Sequence, residues 1–199
     1  MLENLSANEM EVATKLIFDG LTMAKSTMEQ VLQSPITLEQ VDYGSAQDFP
    51  DMFEKNCDHI HLIKTELKGE LKGISHLIFS EEEVSKVYQA CLPGSILESN
   101  SPESEMMKMG FLTEIDNMVA AAVITEFANF LNVEIYGNVP ELKIMNSSEV
   151  DQFIHADSKD FDSIIHFKAN FQGTELEISP DFIWIFQNEF MDKIRSIVK

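Results

Sequence analysis

Hydrophobic positions recur at steps of three and four in two long stretches of the chain and alternate in several short ones. From about Asn8 to Gln33, Val12, Leu16, Ile17, Phe18, Leu21, Met28, Val31 and Leu32 mark a helix, which Ser34-Pro35 ends. Ile36 to Tyr43 alternates as a half-buried strand, and Gly44 to Asp51 reads as a loop. Cys57 to Leu67 and Glu70 to Phe79 are two more strands, hinged at Lys68-Gly69 like a hairpin. Ser80 followed by Glu81, Glu82 and Glu83 supplies an N-cap and an acidic first turn, so Val84 to Leu92 is a short helix. Pro93 to Glu105, with Gly94, Pro102 and its serines, reads as a linker.

The second long helix is predicted from about Met106 to about Leu131. At about 100° per residue, Phe111, Leu112, Ile115, Met118, Val119, Ala122, Val123, Phe127 and Phe130 gather into one stripe facing a core. The run Glu114-Ile115-Asp116-Asn117 belongs to the outer side, where Glu114 and Asn117 stand one turn apart and point to the same patch. Gly110, Ala121 and Ala128 lie along that line, and such small residues leave the patch open to a partner's surface. Taken alone, an exposed Glu and Asn at this spacing are an ordinary solvated pair. A strand near Val133 to Tyr136 and a turn from Gly137 to Pro140 follow, then a less regular stretch through Ser147-Ser148-Glu149. Phe161 to Phe171 and Thr174 to Phe186 form a hairpin around Gln172-Gly173, and Asn188 to Val198 a closing amphipathic helix.

These elements come in the same order twice, and the passage Gly73 to Phe79 into Ser80-Glu81 is echoed by Phe182 to Phe186 into Gln187-Asn188. The expected fold is α/β (α+β), a pseudo-two-fold duplicated unit. Its mainly antiparallel sheet carries two long helices side by side on one face. Residues 1–199 form one domain on this reading, with half 1 at about 1–92, a linker at 93–105 and half 2 at about 106–199.

Composition narrows the partners. Fourteen basic residues against 34 acidic ones give a formal charge of −20, which repels phosphate backbones and anionic lipid, so neither nucleic acid nor membrane insertion is expected. Cys57 and Cys91 have no spacing of a metal knuckle or redox pair. The start Met1-Leu2-Glu3-Asn4-Leu5 lacks the basic region and apolar run of a signal peptide, and the chain is expected in the cytoplasm.

The run Glu114-Ile115-Asp116-Asn117, with Pro140 after 22 intervening residues, together with the order of elements, resembles the CheC and CheX family of bacterial chemotaxis phosphatases. That family's signature is Asp or Ser, three residues, Glu, two residues, Asn, twenty-two residues, Pro; here Gly110 stands at the opening position. The resemblance covers nearly the whole chain, and the length is closer to CheC than to the shorter CheX. It implies hydrolysis of the aspartyl phosphate of a CheY-like response regulator, in chemotaxis or another two-component pathway. Asn117 would hold the attacking water and Glu114 would pair with a regulator lysine, while Gly110, Ala121 and Pro140 complete the docking patch. No cofactor is expected on this chain, because the magnesium ion (Mg2+) belongs to the regulator. A CheD-like deamidase is a further implied partner.

The first half holds no Glu-x-x-Asn between Asn8 and Leu32, and Lys15 to Phe18 occupy the place of a first site, so a one-site protein is expected. Glu126-Phe127-Ala128-Asn129 repeats the four-residue form, but Gln152 stands at the proline distance, and the helix turns this copy toward the apolar stripe. It is read as structural. The alternatives are a non-catalytic adaptor that binds a regulator or CheD, and a metal enzyme using His59 and His61, two apart on a strand. His76, His155 and His166 join no set with them, and the methionines, Met106, Met107, Met109 and Met118 among them, are read as core filler and helix-face packing and not as a binding box.

Overall fold

A computed structural model of the chain describes residues 6–46, 53–55, 57–161 and 164–198. Helix α1 spans Ala7–Leu32 and starts at a capping box in which Ser6 and Glu9 satisfy each other's backbone N–H groups. Strands β1 (Thr37–Ala46), β2 (Ile60–Gly69) and β3 (Gly73–Ser80) follow, then α2 (Glu81–Cys91) and the single turn α3 (Gly94–Leu97). Helix α4 runs from Pro102 to Leu131 and leads to β4 (Ile135–Gly137), β5 (Glu141–Met145) and α5 (Val150–Ser158). Strands β6 (Ile164–Gln172) and β7 (Asp181–Phe186) and helix α6 (Glu189–Ile197) complete it.

The seven strands form one sheet in the order β1-β6-β7-β3-β2, with β4 and β5 both pairing the outer side of β2, and every described pair is antiparallel. This order maps onto itself when β1, β2 and β3 are exchanged for β4/β5, β6 and β7. On one face lie α1 and α4, as their periodicity requires. Lys15 sits over the Phe130 ring, whereas a side chain at Gly20 would press on Phe127 and Val123, so the two helices run in opposite directions. Phe127 projects from α4 into a nest of Phe167, Trp184, Phe186 and Phe190. The opposite face is smaller: Ile60, Leu62, Ile78, Ile164, Ile183 and Ile185 pack under Val150 and Ile154 of α5.

Several boundaries differ from the sequence reading, each for a local reason. The linker at 93–105 is largely structured: it holds α3, and Ser101 and Pro102 are the N-cap and first residue of α4, a helix start that Pro tolerates because its missing N–H has no partner there. β5 and α5 stand where irregular chain was expected, and β7 begins only at Asp181, after a connection bridged by Gly173 and Ile178. β1 continues through Gly44 to Ala46, and β2 begins at Ile60 instead of Cys57. The rest of the expected loop, 47–51, and the start at Met1 to Leu5 lie outside the described residues.

The β2–β3 hinge falls just beyond Gly69, whose φ of 108° lies in the left-handed region. A Cβ there would stand 2.2 Å from the Glu134 carbonyl oxygen, so the position needs glycine on both counts. Gly69→Ala is expected to remove about 3 kcal/mol of stability, read as a lowered denaturant midpoint. An unchanged midpoint would show that the β4 connection simply moves aside.

Candidate functional site

The outer face of α4 presents Glu114 and Asn117, both exposed, on a helix rigidly seated against β2 and α1. Asn117 Nδ2 lies 3.5 Å from Glu114 Oε2, at the long limit of a hydrogen bond, so both side chains remain largely unengaged. The β4–β5 turn comes up beside them. Thr113, Glu114 and Asn117 form one wall of an open groove of about 240 Å³, and Gly137, Asn138, Val139 and Pro140 form the other. Pro140 therefore meets the Glu and Asn that precede it in the sequence spacing. Val139, 87% exposed, is the rim of the turn.

Ala121 lies one turn further along α4 and lines the neighbouring groove with Asn117, Thr65 and Tyr136. Gly110 is exposed one turn before Glu114, and a Cβ added to it would meet nothing within 4 Å. Packing does not demand glycine at that position. Its carbonyl accepts from Thr113 Oγ1, which holds the start of the groove wall.

Asp116 departs from the outer-face reading. It is fully buried, with Oδ2 accepting from Thr65 Oγ1 of β2 at 2.6 Å, and burial pushes its carboxyl up to about 7 against the smaller downward pull of that hydrogen bond. The reason is the arc that α4 buries. Leu112, Ile115, Asp116, Val119, Ala120, Val123, Ile124 and Phe127 are inside, whereas Met118, placed in the stripe, is 42% exposed. β4 packs against α4 beside β2 and draws the buried arc toward Asp116, Ala120 and Ile124. Met106, Met107 and Met109 are exposed too, so these methionines are surface residues and not core filler.

The second Glu-x-x-Asn is also at the surface: Asn129 is exposed and Glu126 half-buried. On α1, Lys15 is ion-paired with Asp19 and Phe18 is exposed. His59 is exposed one residue before β2, and among the described residues no group of three His, Cys, Asp or Glu could hold a metal. No helix of the described residues is long and apolar enough to cross a membrane.

No protein-family model and no curated protein matches the chain. Solved structures do. The chain is similar to FliY from Thermotoga maritima, at 16% identity over 98% of each chain with a TM-score of 0.67. It is similar to CheX of Borrelia burgdorferi in the CheX–CheY–BeF3–Mg complex, at 12% identity over 86% of this chain and 97% of that one, TM-score 0.58. It also resembles the FliM middle domain of Vibrio alginolyticus, at 12% identity over 95% and 99%, TM-score 0.55. At these identities the likeness establishes the fold.

Proposed function

We propose that this chain, which has the CheC-like fold, is a phosphatase that removes the aspartyl phosphate of a CheY-like response regulator through one site, Glu114 with Asn117. The observation that carries the reading is the convergence of Glu114, Asn117 and Pro140, far apart in sequence, around one open groove on a rigid helix. The complex of a similarly folded CheX with CheY, BeF3 and Mg supports the partner class.

An acyl phosphate is intrinsically labile, and its hydrolysis is chiefly a matter of positioning and charge stabilisation. The Asn117 amide accepts and donates hydrogen bonds, so it can hold a water in line with phosphorus without being a strong base. That water gives its oxygen to the phosphoryl group, the P–O bond to the regulator's aspartate breaks, and carboxylate and inorganic phosphate leave. Fixing the water in advance removes an entropic cost. Glu114 supplies an exposed carboxylate for a regulator lysine, and the magnesium is carried by the regulator. The half near α1 is silent on this reading, since Lys15 and Phe18 offer neither amide nor carboxylate.

The test is the lifetime of phosphate on a purified CheY-like regulator with and without this chain, alongside direct binding of the two. A lifetime shortened at least tenfold is expected. Binding with an unaltered lifetime would move the reading to an adaptor for a regulator or a CheD-like deamidase. Neither binding nor acceleration by any regulator of the organism would remove the reading.

A further inference from the structure

Asp116 sits between the two residues of the site on the chain but on the opposite side of the helix. Around it α4 and β2 contribute buried apolar residues to one core, Leu112, Ile115 and Val119 from the helix and Ile63 and Leu67 from the strand. Hydrophobic contact is non-directional, so close packing holds the helix in place while a hydrogen bond defines its rotation more sharply. Among the described residues, the Thr65–Asp116 hydrogen bond is a directional contact between α4 and β2. Thr65, itself buried, also lines the groove next to Asn117, so one residue touches both the tether and the site.

We propose that Asp116 is a positioning residue: its bond to Thr65 fixes the rotation of this turn of α4 over β2, and thereby the direction in which Asn117 enters the groove. A residue one step along the helix is turned by about 100°, so a tether on the inner side sets the azimuth of the neighbour on the outer side. Burial favours the neutral acid, against the smaller opposite pull of the Thr65 bond. Its second oxygen, Oδ1, is buried with no hydrogen-bond partner among the described residues, so an ionised Asp116 would hold a charge on one hydrogen bond. Ionisation then draws the turn outward toward water, and the site loses its alignment as pH rises through about 7.

Among the described residues most charges on the elements packed against α4 are paired elsewhere; His61, on the same face of β2 as Thr65 but four residues away, is a further titratable group, and burial holds its imidazole below the usual range. On α1, Lys15 pairs with Asp19 and Lys25 with Glu29; Lys64 of β2 reaches Asp157 of α5, and Lys68 pairs with Glu66. Lys143 pairs with Glu141 on β5, Lys193 of α6 with Glu70, and Arg195 with Asp192. α3 carries none, β4 contributes only the exposed Tyr136, and on α4 itself Glu114 points to solvent. Asp116 answers to burial first and to Thr65 second, with no charged neighbour acting on it.

The test follows the Asn117 side-chain amide by NMR from acid to mildly alkaline pH in wild type, Asp116→Asn and Thr65→Val, and the rate of phosphate loss from a phosphorylated regulator in parallel. The rate arm rests on the phosphatase reading; the NMR arm does not. In wild type the Asn117 signal should move with a midpoint near 7, and in Asp116→Asn, which keeps an acceptor for Thr65 but cannot ionise, it should stay still. Thr65→Val removes a bond that lowers the carboxyl, so the midpoint should move up. The wild-type rate divided by that of Asp116→Asn should fall several-fold across the same step. An Asn117 signal without a step, a step that survives in Asp116→Asn, or a midpoint unmoved by Thr65→Val would overturn the proposal. A step at Asn117 without phosphatase activity in any variant would uphold the tether and refute the enzymatic reading.

Discussion

Asn117→Ala should bind a phosphorylated regulator as the intact chain does and yet release its phosphate about 100-fold more slowly. The methyl group that replaces the amide leaves the groove walls standing but gives a water nothing to accept from or donate to. The loss therefore falls on the chemical step. Glu114→Ala should divide differently: losing an exposed carboxylate that pairs across the interface weakens docking by about tenfold, while the rate at saturating regulator falls less. Single-turnover measurements over a range of regulator concentrations separate the two. Asn117→Ala with full activity would take this residue out of the reaction, and equal losses of binding in both variants would make the pair a docking patch only.

Phe127→Ala should remove about 4 kcal/mol of stability. The ring is fully buried between the two long helices and the sheet, 5.6 Å from Phe186 and 5.7 Å from Phe190 by ring centroids. Truncation opens a cavity whose walls belong to three layers that cannot all close at once. Denaturant unfolding should show a lower midpoint with an unchanged slope. Gly20 supplies an internal control. A Cβ there would meet Phe127 Cε1 at 2.8 Å, so Gly20→Ala should be harmful in the wild type and tolerated once Phe127 is alanine. Additive effects would mean that the helices are not held apart by this ring.

The long helices α1 and α4 were legible because each buries a stripe at the helical period, and β2 and β3, buried on both faces, because their apolar runs are bounded by turn signals. Ser80 and its three glutamates announced α2 for the same local reason, a cap that needs no tertiary partner. The spacing of Glu114, Asn117 and Pro140 was also legible, and the turn between β4 and β5 brings the three together. Asp116 was not. Its burial depends on β4 closing over α4 and on Thr65 arriving from β2, contacts distant in sequence that no helical wheel contains. α5 was hidden similarly: three buried positions, Val150, Ile154 and Ser158, among polar residues are too few to set a period until the far face of the sheet is present. The exposed Met118 shows the converse, an apolar residue whose place in a stripe is overruled by which neighbours the helix acquires.

The two margins of the sheet bear on how the molecule behaves in a crowded solution. β1 is broken by a bulge between Glu39 and Asp42, with Gln40 in the left-handed region, and the other margin is split into strands of three and five residues around Pro140. Among the described residues, neither margin offers a second chain the long straight ladder on which strands are added end over end. Polymerisation by shared strands is thereby disfavoured, even for a protein with so broad a sheet. Recognition is left to side chains on the helical face, where a contact can be made and released without rebuilding the backbone.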